Sequence, residues 1–470
     1  MKRLSARRVL TVCAISAASV AALVAPGAAS AATGEACSGS NIFSAGSSLQ
    51  ALAQQEVWAP GFNSTKSKSL FACNGKQGAK KLPTITYESV GSGAGYKKWK
   101  EKDEYGKYGF IGTDNTVNQS EIEAVDAERD AGKESKLMTI PVLQGSVAVV
   151  VHLPAGCTSA SSTVTGATGR LVFNDVTLEE IYAGVLTKWN EISAAENGGD
   201  ALTCAEPADE EATIIPVVRK DSSGTTHIFK RYLGLISTAT FEMENIKEKT
   251  TEKLTWGQAS EGAQSTAWPK AAHVLTPAQE TGPGLLEAVY NTAGSVGYAN
   301  LADARETEVE AKYKYNFIPP TGGEGTPTFW VELENSSKTS KGKVTRKYAD
   351  PASNKDVAAK AEANCKDTVF QNGTKVFPPP KLTEPWNEVT TELTSKTYSL
   401  CGLTYDLALT NYEAYESHGG SNAEATTVQN YLNYVLDAKG GQAAIKKHDY
   451  LGLPKELLTE ALKGPAAIEG

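Results

Sequence analysis

The chain has 470 residues, 40% of them hydrophobic and 21% charged, with a formal net charge of −8. That is the composition of a globular protein long enough for two or three domains. The acidic balance argues against nucleic acid and anionic lipid as partners, since a negative surface repels both. After residue 31 no run of eighteen apolar residues occurs, so no membrane span is expected.

Residues 1–31 read as a secretory signal peptide. Lys2, Arg3, Arg7 and Arg8 precede an apolar stretch from Val9 to Val24, and Ala29-Ser30-Ala31 is a small-residue cleavage site. Cleavage near Ala31 removes four basic residues and no acidic one, leaving 42 basic against 54 acidic residues, a net charge of −12. The mature protein is expected outside the cytoplasm, in a periplasm or at a cell surface. No lipoprotein pattern surrounds Cys13 or Cys37. The six remaining cysteines fall into three groups along an exported chain, suggesting the disulfides Cys37–Cys73, Cys157–Cys204 and Cys365–Cys401 among fifteen possible connectivities. A metal site is the rival reading. There is no close Cys-x-x-Cys pair, and His152, His227, His273, His418 and His448 lack ligand spacing, so no metal and no cofactor are expected.

In chain order, Asn41–Ala45 reads as a short strand that reaches Gly46-Ser47-Ser48, with a helix from Leu49 to about Val57. After a polar insert at 63–82, Thr84–Val90 alternates as a strand and runs into Gly91-Ser92-Gly93-Ala94-Gly95, with a helix from Tyr96. Tyr108–Gly112 is a further strand ending at Thr113-Asp114-Asn115. Strands that each end in hydroxyl, glycine or carboxylate residues imply a parallel sheet whose C-terminal edge gathers these loops around a crevice. Met138–Val151 is too β-branched and too interrupted by Pro and Gly for a helix, and reads as a strand crossing between domains. Thr177 is expected to cap a helix through Val185.

The strand Thr213–Val218 then leads into Arg219-Lys220-Asp221-Ser222-Ser223-Gly224-Thr225-Thr226 and an amphipathic helix to Leu235. A helix start of this kind offers amides without intrahelical partners and a favourable dipole, and Arg219 can fork onto the same anion. An ordinary N-cap beside a surface arginine is the alternative. Gly284–Val289 reads as helix and Gly297-Tyr298-Ala299 as the start of a strand. Residues 319–398, with Gly322-Gly323-Glu324-Gly325 and Pro378-Pro379-Pro380, read as a polar insertion. Tyr398–Leu409 is a returning strand, followed by helices near Val428–Asp437 and Lys455–Leu462.

Taken in order, FSAGSSL, ITYESVGSGAG, FIGTDN, IPVLQGSVAVVVHLP, TLEEIYAGVLTKWN, VVRKDSSGTTHIF and GSVGYANL resemble the periplasmic phosphate-binding proteins (PstS) of ABC-type importers. The resemblance spans most of 40–320 and, more loosely, 398–460. It implies an α/β fold of two lobes, class II-type, each a mainly parallel sheet flanked by helices, with strand crossovers as the hinge. The corresponding lobes are 32–145 with 400–465, and 146–399. The implied function is capture of one inorganic phosphate for an ABC permease complex, by a monomer without enzymatic activity. The implied ligand set is Ser48 and the amide of Leu49, Ser92, Asp114, Arg219, Ser223, Gly224 and Thr225. Leu49 stands where the family usually has an aromatic residue, and 319–398 exceeds the usual lobe.

Within that ligand set, Asp114 would select for protonation. Phosphate near neutral pH carries a proton that a carboxylate can accept, whereas sulfate offers only repulsion. Two other function classes compete: a secreted oxyanion scavenger or surface interaction protein, and a serine hydrolase built on Ser223 and His227. Against the hydrolase there is no Gly-x-Ser-x-Gly elbow and no third member, and His227 is expected at the surface. Nor is there a Walker lysine loop.

Overall fold

The protein is represented by a computed structural model. It describes residues 38–73, 82–100, 106–154, 156–159, 171–197, 202–204, 212–237, 239–245, 249–275, 277–309, 328–353, 361–372, 378–393 and 396–469. The expected signal peptide, Cys37 and the 322–325 glycine run lie outside these residues.

The architecture is α/β and two-lobed, organised by one long strand. In chain order the elements that matter are β1 (Ile42–Gly46), β2 (Ile85–Ser89), α1 (Ser92–Lys100), β3 (Ile111–Thr113), α2 (Gln119–Ala127), β4 (Leu137–His152), α3 (Asp175–Ala183), β5 (Ile215–Pro216), α4 (Gly224–Ile236), α5 (Gly282–Asn291), β6 (Ser295–Asn300), β7 (Phe370–Asn372), β8 (Val389–Thr391), β9 (Cys401–Leu409), α6 (Asn422–Leu436) and β10 (Tyr450–Leu451). The central sheet runs β2-β1-β3-β9-β4-β6-β5. As expected, β1 pairs in parallel with β2 and β3, which brings the loops after all three strands to one edge.

The crossover strand β4 is buried along almost its whole length, which is why its sequence is an apolar run without alternation. Its first half pairs antiparallel with β9, and its second half, from Val147, with β6. One strand therefore serves both lobes. Pro141 cannot donate to the ladder, and the register with β9 shifts beside it, between Thr404 and Tyr405, so the proline sits at a bulge. At Gly145 a Cβ would approach Leu49 Cδ2 to 2.9 Å. The glycine makes room for the Leu49 side chain where the pairing changes sides.

Helix α4 lies against the second half of the sheet. Phe229 stacks on Tyr298 of β6, with ring centroids 4.4 Å apart, a geometry that adds about 1 kcal/mol beyond burial. Lys230 on the same helix is fully buried and donates to the carbonyls of Ala267 and Ser265, with its ammonium 4.1 Å from the Trp268 ring centroid. Burial drives its pKa well below the usual lysine value.

Local readings needed correction in several places. Asn174, not Thr177, caps α3: the Asn174 Oδ1 accepts from the Thr177 amide at 2.8 Å and its hydroxyl at 2.7 Å, placing Thr177 inside the first turn. The turn Gly91–Gly95 is mostly helix, because α1 begins at Ser92 immediately after Gly91 takes a positive φ of 89°. Of the strand expected over 213–218, Ile215–Pro216 forms the ladder with β6, while Val217 continues with a single hydrogen bond to Val296.

Two of the expected disulfides are formed, Cys157–Cys204 and Cys365–Cys401. Cys73 is buried, and its expected partner Cys37 is outside the described residues. Within residues 319–398, expected as a polar insertion, Glu332–Ser340 and Lys343–Ala349 form a hairpin. The stretch 378–391 runs across the molecule. Leu382 accepts a hydrogen bond from Thr139 of β4 and Trp386 packs edge-on to Tyr405 of β9, while the carbonyl of Asn387 accepts from Arg231 of α4 at 2.9 Å.

Candidate functional site

The loops after β1, β2 and β3 meet the start of α4 at the edge of the sheet, where Ser92, Asp114 and Gly224 come together, and all eight residues proposed from sequence are buried. Asp114 is the centre. Its Oδ1 accepts from Ser47 Oγ at 2.5 Å and its Oδ2 lies 3.3 Å from Ser92 Oγ, while its own amide donates to Ser92 Oγ at 3.1 Å. Gly224 closes on this carboxylate from the start of α4. A Cβ there would lie 2.5 Å from Asp114 Oδ2 and 2.6 Å from Ser92 Oγ. Only a glycine lets the first turn of α4 come so near.

A second contact between facing turns lies alongside. The Gly93 amide donates to the Ser222 carbonyl at 2.9 Å, and a Cβ on Gly91 would fall 2.7 Å from Asp221 Oδ2 and 3.5 Å from Arg219 Nη2. Arg219 has a side chain 1% exposed and forks onto Asp221, with Nε to Oδ1 at 2.7 Å and Nη2 to Oδ2 at 2.6 Å. Two of its five N–H groups are thereby committed, and its plane is fixed. Its charge is largely matched by Asp221.

Ser223 caps α4, its Oγ accepting from the Thr226 amide at 3.2 Å. Thr226 Oγ1 is 2.7 Å from the Tyr298 hydroxyl, which ties the turn to β6. Thr225 is buried in the same first turn. Ser48 is buried near the start of α5, where a Cβ on Gly282 would lie 3.8 Å from its Oγ. The amide of Leu49 donates to Ser47 Oγ at 3.0 Å. Its carbonyl accepts from Asn300 Nδ2 at 2.9 Å and the Tyr450 hydroxyl at 2.8 Å.

Burial pushes the Asp114 carboxyl up to about 6; hydrogen bonds from the hydroxyls of Ser47, Thr404 and Ser92, and the charge of Arg219, pull the other way. The group therefore titrates close to neutrality, ionised above about pH 6 and protonated below. An open cleft of ≈ 540 Å³ adjoins the site, walled by Ser92, Thr113 and Asn115 on one side and by Ser222, His227 and Arg231 on the other.

Ser47, Asp221 and Thr404 belong to this constellation and were not in the sequence-derived set. Asp221 was legible as a carboxylate two residues after an arginine. Ser47 was one of two adjacent serines with nothing to rank them, and Thr404 comes from a strand 290 residues beyond Asp114. His227 was expected at the surface and is instead buried, its Nδ1 3.0 Å from the Ser260 carbonyl, and burial above all lowers its pKa to about 4. Ser223 Oγ serves the helix cap while His227 faces Ser260. That arrangement gives no nucleophile–base pair.

A family model described as a PBP superfamily domain matches residues 31–439. The phosphate-binding protein PstS 3 of Mycobacterium tuberculosis is 31% identical over 198 residues, 42% of this chain and 45% of that protein. PstS of Pasteurella multocida is 27% identical over 184 residues, 39% of this chain and 44% of that protein. The matched part thus spans less than half the length of these curated relatives. Among solved structures, a phosphate-binding protein from Stenotrophomonas maltophilia superposes with a TM-score of 0.53 at 17% identity, over 90% of this chain and 93% of that one. The periplasmic phosphate-binding protein PfluDING, solved with phosphate bound, gives a TM-score of 0.52 at 17% identity over 89% and 92%. These structural likenesses are of fold. Since the family model extends over most of the sequence, the chain belongs to the PBP superfamily.

Proposed function

We propose that the protein captures inorganic phosphate between its two lobes, outside the cytoplasm, and delivers it as a monomer to an ABC-type permease complex. One observation carries the reading. The buried carboxylate of Asp114 is held by the hydroxyls of Ser47 and Ser92 and is faced by the start of α4, where Gly224 makes room for a close approach. Donors alone would suit any oxyanion. An acceptor among them favours one that still carries a proton, which phosphate does and sulfate does not. The relatives named PstS support the same assignment.

In this reading Ser48 and Ser92 come from one lobe (32–145 with 400–465) and Arg219, Ser223, Gly224 and Thr225 from the other (146–399), while the Leu49 amide, expected as a further donor, is engaged by Ser47 Oγ. Closure removes the anion from water, so each charge-assisted donor counts for more than it would in solvent. The site has the parts of a binder, and no catalytic role is assigned to it.

Calorimetry with phosphate and sulfate tests the proposal. The wild type is expected to bind phosphate and to reject sulfate, and Asp114→Asn to lose that preference. Failure of the wild type to bind phosphate at pH 7.5 would refute the function. An unchanged preference in Asp114→Asn would remove Asp114 from its role.

A further inference from the structure

Ser47 directly follows β1, its amide donating to the Gly112 carbonyl of β3 at 2.7 Å, so its position is set by the sheet. Its side chain is buried, and its Oγ accepts the Leu49 amide at 3.0 Å. A hydroxyl has one proton to give. Here that proton goes to Asp114 Oδ1 at 2.5 Å. The other carboxylate oxygen, Oδ2, is the one beside Gly224 and the start of α4. Ser92 Oγ donates to Oδ2 itself, at a longer 3.3 Å, so the short contact that holds the carboxylate by its far oxygen is the one from Ser47.

We propose that Ser47 is a specificity-determining positioning residue: its hydroxyl engages Asp114 Oδ1, so that Oδ2 faces the anion as an acceptor. The inference rests on the phosphate reading above and adds what makes the acceptor dependable. A carboxylate free to rotate, or to carry its proton toward the ligand, turns from an acceptor into a donor and then welcomes sulfate as readily as phosphate. Ser47 opposes both changes, since its O–H favours a bare Oδ1 and fixes the carboxylate plane. The other charged or titratable groups acting on Asp114 are Arg219, forked to Asp221, and the buried phenols of Tyr87 and Tyr405. Replacing Ser47 leaves all of them in place.

The test compares wild type, Ser47→Ala, Ser47→Thr and Asp114→Asn by calorimetry with phosphate and with sulfate from pH 5 to 8, with thermal melting of each ligand-free protein. In Ser47→Ala the phosphate-over-sulfate preference is expected to fall about tenfold or more, the scale of one charge-assisted hydrogen bond. Sulfate binding, which needs protonated Asp114, is expected to set in at a higher pH than in wild type. Ser47→Thr keeps the hydroxyl and restores both readouts; a purely structural role would not move the pH of onset. A preference that vanishes in Asp114→Asn but persists, with the same onset, in Ser47→Ala overturns the inference alone. A wild type that binds neither anion overturns the phosphate reading and this inference with it.

Discussion

Substituting alanine for Gly224 would add a single methyl group where the start of α4 closes on Asp114 and Ser92. Built on the present backbone, its Cβ lies 2.4 Å from Asp114 Cβ, 2.5 Å from Asp114 Oδ2 and 2.6 Å from Ser92 Oγ. Carbon atoms in contact settle near 3.5–4.0 Å, so the gap must widen by about 1 Å. Asp114 cannot simply turn aside, because Ser47 holds its Oδ1 and Ser92 its amide. Overpacking of this kind costs about 1–3 kcal/mol, which corresponds to a rise in the phosphate Kd of roughly 5- to 150-fold. The cost falls on the closed state. Gly224 is the first residue of α4, where alanine is at least as good a helix former, so an open form gains nothing from the glycine. Calorimetry with phosphate gives the Kd, and melting of the ligand-free protein separates closure from folding. A Kd within twofold of wild type would refute the geometry, and a drop in melting temperature large enough to explain the lost binding would refute the argument that closure alone is affected.

Asp406 on β9 is fully buried, and burial pushes its carboxyl up to about 8 against the hydrogen bonds of Gln54 and Gln50. Between about pH 4 and 8 the folded state therefore holds a proton that the unfolded chain has released, and stability falls as pH rises through that window. The wild-type melting temperature is expected to decline from pH 5 to 8 and the slope to flatten in Asp406→Asn; equal slopes in the two proteins would contradict the assignment. Arg231 ties α4 to the stretch 378–391, donating to the Asn387 carbonyl at 2.9 Å and to Glu261 Oε1 at 2.8 Å. That stretch is itself anchored on β4 and β9, so Arg231→Ala is expected to speed phosphate release severalfold in stopped-flow displacement, and an unchanged release rate would show that the strap does not restrain opening.

The sequence by itself determined the ingredients. Hydroxyl, glycine and carboxylate residues at the ends of β1, β2 and β3 announced loops gathered at one sheet edge, because a parallel sheet puts the same ends of its strands together. The β-branched run 138–151 announced a buried crossover, and the cysteine grouping announced two bridges that are formed. What a sequence cannot supply is which side chain answers which across the cleft, since pairing at a distance depends on register and approach. Ser47 outranks its neighbour Ser48 at Asp114 only because the backbone, pinned to Gly112, aims it there. Thr404 acts on Asp114 only because β9 returns beside β3. Arg219, expected as an anion fork, has its fork on Asp221 in the structure. The stretch 378–391 gave little sign that it bridges β4, β9 and α4, because its links to β4 and α4 run through the backbone carbonyls of Leu382 and Asn387, which carry no residue signature.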